Sequence, residues 1–160
     1  LQDAGAFAWA NKDGAYDFWV GTSTSETDWN GYSNCQKMKE GTEHDWNITH
    51  FPAANACITF GTVDSYLQYA APTGSSGWFL PSCDQLSSLY SSRDLLSGQI
   101  NKLKTISSYE AISWFLTTYY WSSSEYPDNS YNARNVNFYF GNVNFDLKAS
   151  GYFVRSIFAF

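Results

Sequence analysis

The stretch that decides the fold is residues 135–147, Asn135-Val-Asn-Phe-Tyr-Phe140 followed by Gly141-Asn-Val-Asn-Phe-Asp-Leu147. Apolar side chains alternate with polar ones through both halves, which is typical of strands with one buried face. The Gly-Asn pair between the halves favours a tight turn, so we predict an antiparallel hairpin of strands 133–140 and 142–148. We expect one face in the core, with Val136, Phe138 and Phe140, and a polar face of amides, a phenol and a carboxylate in solvent.

Outside the hairpin, shorter patterns predict the remaining elements. Pro52 suits a first helical position, and Ser82 with Gln85 forms a capping-box pattern. The predicted helices are 34–40, Pro52 to near Gly61, 83–91 and 95–104; the other predicted strands are 6–10, 16–20, 78–80, 119–124 and 152–159. Early helices and late antiparallel strands predict an α+β domain with two or more packed helices. Strands near both termini are consistent with the chain ends pairing in one sheet.

Length and composition limit the classes of function. A chain of 160 residues favours one domain over 1–160, and the lack of an initial Met leads us to expect a mature fragment or an excised domain. We expect it to be the C-terminal domain of a longer protein. Nine Lys and Arg against fifteen Asp and Glu disfavour nucleic acid as a partner. No apolar run approaches the roughly 20 residues of a membrane span. Aromatic residues reach 19 %, a share typical of strands and binding surfaces.

The residues that could carry chemistry are few. Cys35, Cys57 and Cys83 lack metal-type spacing, so we expect buried thiols, with a disulfide between two of them left open. His44 and His50 lie six apart in a polar loop and do not form a helical metal pair. The chain has no nucleophile elbow, phosphate-binding glycine loop or paired acid and base. We therefore predict no catalytic residue, no metal and no cofactor.

Four segments together resemble a known family. They are Phe51-Pro-Ala-Ala-Asn55, Gly77-Trp-Phe-Leu-Pro-Ser82, Tyr120-Trp-Ser-Ser-Ser-Glu125 and the tail Val154-Arg155 to Ala159-Phe160. In order and spacing they are similar to the formylglycine-generating-enzyme-like branch of the C-type lectin fold in bacteria and phages, over about residues 30–160. The resemblance implies a single C-type-lectin-like ligand-binding domain with small mixed or antiparallel sheets. The family's second tail Arg is replaced by Phe158.

Some members of this branch are variable proteins of diversity-generating retroelements, in which adenine-directed mutagenesis rewrites Asn-type codons. The Asn-rich window at about 126–152 resembles such a product. The resemblance further implies a constant frame that includes Trp78, Trp121, Glu125 and Arg155, with both tryptophans as buried anchors and Glu125 paired with Arg155. It also implies an extracellular location, on a bacterial surface or a phage particle.

The predicted function is non-enzymatic recognition of a protein or glycan ligand on a cell or phage surface. The hairpin face predicted to carry it holds Tyr131, Asn132, Arg134, Asn135, Asn137, Tyr139, Asn142, Asn144 and Asp146. Tyr supplies contact area at low entropy cost, and Asn supplies both donors and acceptors. Whether Phe145 and Leu147 are buried or exposed is left open, because the alternation places them in the core whereas the resemblance implies that they are exposed contacts.

Three alternatives remain at this point. One is a calcium-dependent carbohydrate-binding lectin, in which Glu125, Asp128, Asn129 and Asp146 would supply some of the six to eight oxygen ligands. The fragment Glu125-Tyr-Pro-Asp-Asn129 does not match the superfamily's calcium motifs. The second is a surface adhesin of fixed specificity, and the third is a plain solvated sheet face.

Overall fold

Helices and strands are segregated along the chain. The computed structural model describes residues 5–41, 45–62, 67, 69–106 and 115–160. Its elements are β1 (Ala6–Ala8), α1 (Gly31–Glu40), α2 (Pro52–Ile58), α3 (Cys83–Ser91), α4 (Arg93–Ile106), β2 (Tyr119–Glu125), β3 (Asn132–Asn137), β4 (Val143–Leu147) and β5 (Gly151–Phe153). A short 3₁₀ helix, Ile48–His50, precedes α2. The predicted α+β class is confirmed.

The five strands form one mixed sheet in the order β1-β5-β2-β3-β4. β3 pairs antiparallel with both β2 and β4, so the predicted hairpin is confirmed and β3 is an inner strand. β1 pairs antiparallel with β5, and β5 runs parallel to β2. The expected pairing of the two chain ends is therefore confirmed.

The helices follow their local sequence signals closely. α3 covers the predicted residues, and its capping box joins Ser82 and Gln85 as the pattern indicated. Pro52 opens α2, which ends at Ile58. α1 begins three residues earlier than predicted, and α4 extends two residues further at each end.

Several predicted strands are absent or shorter in the structure: β1 stops at Ala8 and not at residue 10, and β3 stops at Asn137 and not at residue 140. Residues 16–20 form no strand; a turn closed by Lys12 and Ala15 precedes them, and the Val20 amide donates to the Glu125 carboxylate. The 78–80 strand is reduced to one bridge between Phe79 and Ile157. β5 stops at Phe153, well before the predicted end at 159. Local apolar runs predicted these strands, but their backbone groups bond elsewhere.

Two apolar clusters make up the described core. Consecutive residues of β2 face opposite sides of the sheet, so Trp121 joins the cluster with Trp9 and Phe51, while Tyr120 joins the cluster with Leu86 of α3. All three cysteines are buried free thiols, as expected. Val136 and Phe138 are buried as predicted. The prediction for Phe140 is wrong: its ring is 73 % exposed because β3 ends three residues before it.

Candidate functional site

A buried ion pair joins the hairpin to the rest of the domain. Lys148, directly after β4, places its Nζ 2.6 Å from Glu125 Oε1, and both side chains are fully buried. The two Glu125 oxygens also accept from the backbone amides of Val20 and Thr22, each at 3.0 Å. Burial lowers the pKa of Lys148, and the nearby Glu125 charge opposes that shift. The predicted pairing of Glu125 with Arg155 is therefore wrong.

Aromatic rings surround the same ammonium group. Lys148 Nζ lies 4.7 Å from the ring centroid of Trp9, 5.1 Å from that of Phe18 and 5.9 Å from that of Trp19. It also donates to the Phe18 carbonyl at 2.7 Å. The Lys148 carbonyl accepts from the amides of Trp9 and Ala10. The end of β4 is thus held by contacts to residues 9–19.

A second buried cluster accounts for the serine run of β2. The Asp28 carboxylate accepts from Asn34 Nδ2 at 2.7 Å and from Ser124 Oγ at 3.0 Å. Asn34 Nδ2 also lies 3.2 Å from Ser123 Oγ, while Ser122 Oγ donates to the Arg134 carbonyl at 2.9 Å. Because each hydroxyl has a partner, these polar side chains stabilise the sheet while fully buried. Together with Glu125 and Lys148 they form what we call the polar frame.

The two predicted tryptophan anchors differ in burial. Trp121 is fully buried, and its Nε1 donates to the Phe7 carbonyl at 2.9 Å, as expected for an anchor. Trp78 is only half-buried, so the prediction of a buried anchor is wrong for it. Its ring packs edge-on against Phe158 with centroids 4.9 Å apart. Phe158 of the C-terminal tail therefore packs against Trp78.

Four hairpin residues predicted to be exposed are buried. Their exposures range from 1 to 8 %, and they are Asn132, Arg134, Asn135 and Asn137 of β3. β3 lies between two strands, with the cluster of Trp121 on one face of the sheet and α3 on the other. Its polar side chains are therefore covered on both faces. Asn137 Oδ1 accepts from the Tyr139 amide at 2.7 Å and supports the turn. The alternation identified the strand correctly, but the expected exposure of these four residues is wrong.

The remaining predicted residues reach solvent to different degrees. Asn144 and Asp146 are half-buried, and burial together with the bond to Asp146 raises the pKa of Tyr152 to about 12. Exposed side chains belong to Tyr131 (43 %), Tyr139 (65 %), Asn142, Phe145 (48 %) and Leu147 (42 %). The open question about Phe145 and Leu147 is thereby answered, since β4 is an edge strand and both side chains are exposed.

We call three side chains the hairpin patch: the stacked rings of Tyr126 and Phe145, and Leu147 on the same face of β4 as Phe145. The rings of Phe145 and Tyr126 stack with centroids 3.8 Å apart. In the β3–β4 register Phe145 lies opposite Arg134 and Leu147 opposite Asn132, so Phe145 and Leu147 share one face of the sheet. Tyr126 is not among the predicted site residues, although it lies inside the 126–152 window. Its aromatic ring next to a predicted strand end was the available signal.

Polar contacts hold the inner side of the hairpin patch. Arg134 Cζ lies 5.3 Å from the Tyr126 ring centroid, and Arg134 donates to Glu26 at 2.8 Å and to the Thr24 carbonyl at 3.0 Å. A hydrogen bond with Asp128 raises the pKa of Tyr126. The stack therefore has a fixed orientation relative to the sheet.

The hairpin turn is longer than the predicted Gly-Asn pair. The amide of Asn137 donates to the Asn142 carbonyl at 3.0 Å, so residues 138–141 lie between them. Gly141 has φ +80, and a Cβ there would overlap the Tyr90 ring of α3. Tyr139 and Phe140 project from this turn in an edge-to-face pair with centroids 4.6 Å apart. They form a second exposed aromatic group on the hairpin.

Two of the residues considered as metal ligands, His50 and Glu125, have bonding partners within the domain. His50 Nδ1 accepts from the Asn47 amide and caps the 3₁₀ helix, whereas His44 lies outside the described residues. Within the described part of the chain, no three His, Cys, Asp or Glu side chains converge in a way that could hold a metal ion. The Glu125 oxygens proposed for calcium are bonded to Lys148, Val20 and Thr22.

Comparison with protein-family models, with curated proteins and with solved structures finds no match to this chain. The assignment of a function therefore depends on the geometry above and on the sequence resemblance. None of the helices in the described ranges combines the length and apolarity needed to cross a bilayer.

Proposed function

We propose that this chain is a non-enzymatic ligand-recognition domain of the C-type-lectin-like fold, resembling the variable proteins of diversity-generating retroelements. Its binding surface is the exposed part of the β3–β4 hairpin. Its ligand is a protein or glycan on a cell or phage surface, and its location is extracellular. The observation that carries the proposal is the set of exposed rings and aliphatic side chains on a hairpin that buried polar bonds hold in place.

The exposed apolar side chains favour recognition over a plain solvated face. Tyr131, Tyr139, Phe140, Phe145 and Leu147 are all between 42 and 73 % exposed within one hairpin. Several large apolar side chains exposed within one hairpin are typical of an interaction surface. Tyrosine and other aromatic side chains contribute large contact areas with few rotatable bonds.

The buried bonds of the polar frame support the proposal because they restrain the hairpin backbone. The ion pair of Lys148 with Glu125 and the bond of Asn137 to the turn restrict the hairpin backbone before any ligand arrives. Little further ordering is then required on binding, which favours affinity. The side chains at the surface can change while the buried bonds stay the same.

If the coding sequence is diversified, the exposed side chains should vary while the buried, bonded side chains stay constant. Within 126–152, variable codons should encode the exposed positions Tyr131, Tyr139, Phe145 and Leu147 and the half-buried Tyr126. Codons for Arg134 and Lys148 should be constant, because both side chains are buried and paired. Sequencing the coding region from many cells or particles of one population tests this. Variation at Lys148 and constancy at Phe145 would contradict it, and complete constancy would favour an adhesin of fixed specificity.

A matched pair of triple variants tests the binding surface. The hairpin triple is Tyr131→Ser, Phe145→Ser and Leu147→Ser; the control triple is Tyr32→Ser, Phe160→Ser and Leu95→Ser, the same residue types exposed elsewhere. Each protein is used to select ligands from a displayed protein library and a glycan array, with calcium and with chelator. Ligands of the native domain should be lost by the hairpin triple and kept by the control triple. The opposite pattern would refute the hairpin surface, and dependence on calcium would favour the lectin alternative.

A further inference from the structure

Negative charge and unpaired oxygen acceptors surround the hairpin patch. Glu26 is 62 % exposed on its side chain and uses one oxygen for Arg134, while Asp128 is exposed beside Tyr126. The two cations of residues 126–152, Arg134 and Lys148, are both buried and already paired. The patch therefore offers carboxylates to a ligand but no free cation of its own.

Two amide oxygens next to the patch lack a partner. Asn129 Oδ1 and Asn132 Oδ1 are buried and accept no hydrogen bond, and Asn132 as a whole is only 8 % exposed. Asn132 lies opposite Leu147 in the ladder, so it shares the face that carries Phe145. Buried carbonyl oxygens are seldom left without a donor in folded proteins. Both oxygens can only accept, so the missing partner is a donor.

The stacked rings of Phe145 and Tyr126 also favour a cationic ligand. The Phe145 ring is 48 % exposed and stacks on Tyr126. The face of an aromatic ring carries partial negative charge and attracts an ammonium or guanidinium group. Ring faces, carboxylates and unpaired carbonyl oxygens thus all complement one chemical group, a cation with several N–H donors. A neutral sugar would use the rings and the acceptors but would gain nothing from the carboxylates.

We propose that the hairpin patch recognises a Lys- or Arg-bearing segment of a partner protein, with the cationic side chain over the Phe145–Tyr126 stack. The N–H groups of that side chain point to the exposed carboxylates of Glu26 and Asp128. This inference rests on the proposed function and names the chemistry of its ligand.

The first test compares two small probes that differ in charge. Nα-acetyl-arginine amide and Nα-acetyl-citrulline amide have nearly the same shape, but only the first is a cation. Each is titrated into the ¹⁵N-labelled domain at low salt. The arginine probe should shift the amides of 126, 132, 145 and 147 in a saturable way, with at least about threefold tighter binding than citrulline. Added salt should weaken the arginine probe alone.

Two variants locate the arginine probe. Phe145→Leu keeps an apolar side chain but removes the ring, so affinity should fall about threefold. Leu95→Ala, at an exposed position of α4, should leave the affinity unchanged. Equal binding of citrulline and arginine, or arginine shifts confined to other parts of the domain, would overturn the proposal.

A selection from a displayed random-peptide library separates this inference from the proposed function. Peptides enriched in Lys or Arg that bind the native domain and lose binding to the hairpin triple would support both. Neutral or acidic peptides that the hairpin triple loses would leave the proposed function standing and overturn the cationic ligand. Peptides retained by the hairpin triple would overturn both.

Discussion

The polar frame and the hairpin patch invert the usual distribution of residues. The frame buries two carboxylates, an ammonium group, an amide and three serines, whereas the patch leaves Phe145 and Leu147 in solvent. Inside the frame every charged oxygen or nitrogen of Glu125 and Lys148 has a bonding partner, so the cost of removing it from water is offset. On the patch the apolar groups have no such compensation within the domain. Burial here follows bonding opportunity more than hydrophobicity.

Breaking the buried ion pair should produce the largest loss of stability. Glu125→Gln removes the charge that faces Lys148 and leaves a buried ammonium uncompensated, which should lower the free energy of unfolding by about 3–5 kcal/mol. Urea denaturation measures the change. Asp94→Asn, in an exposed ion pair whose Asp94 side chain is 91 % exposed, should cost less than about 1 kcal/mol. The double variant Glu125→Gln with Lys148→Met should lose less than the two single variants combined; a loss that is simply additive would contradict the pairing.

Identical truncations in the core and on the patch compare the two regions directly. Leu80→Ala empties a fully buried position and should cost about 2–5 kcal/mol of unfolding free energy. Leu147→Ala, at a position 42 % exposed, should change that free energy by no more than about 0.5 kcal/mol. Thermal or chemical denaturation of both variants provides the measurement. A large loss at Leu147 would mean that the patch belongs to the core and is not a free surface.

The hairpin turn offers a smaller test, through its contact with α3. Gly141→Ala combines a left-handed backbone with overlap of the Tyr90 ring, and we expect a loss of about 1–3 kcal/mol. Gly74→Ala is the matched control, because Gly74 has φ +86 but no atom within 4 Å of an added Cβ. The loss measured for Gly141 should exceed that for Gly74. Equal losses would show that the turn does not press against α3.

Alkaline pH should produce the smallest effect, through the buried thiols. Burial raises the pKa of Cys35 and Cys83 to about 12 and that of Cys57 further, from an ordinary value of 9.0. The folded state keeps these protons while the unfolded state loses them, so stability falls as pH rises through 9. Lys148, with its lowered pKa, acts in the opposite direction at pH values below 10.5, where the unfolded state keeps a proton that the folded state has begun to lose.

Between pH 8 and 9 the three thiols together should lower the free energy of unfolding by about 1 kcal/mol. Urea denaturation at the two pH values measures this. Cys57→Ala should reduce the pH-dependent part by about a third, whatever its effect on stability at pH 8. A pH-dependent change that is the same in Cys57→Ala and in the native domain would refute a buried, protonated Cys57 thiol.

Local signals predicted much of the architecture. Ser82 and Gln85 marked the start of α3, and the alternation from Asn135 to Leu147 marked the hairpin, because capping and strand pairing depend on near neighbours. The strand at 16–20 was wrong because a distant carboxylate, that of Glu125, bonds the Val20 amide. The pairing of Glu125 with Lys148 joins residues 23 positions apart, and no local pattern indicates it.

The sequence by itself determined the α+β class, the order of the elements and the hairpin that carries the candidate surface. Those features arise from composition and from periodicity within a few residues. Only the tertiary structure decided which hairpin side chains face solvent. Asn135 and Phe145 obey the same alternation, yet the amide is buried in an inner strand and the ring is exposed on an edge strand. Exposure depends on which elements pack against a strand in the folded domain, and the alternation of apolar and polar residues carries no information about those elements.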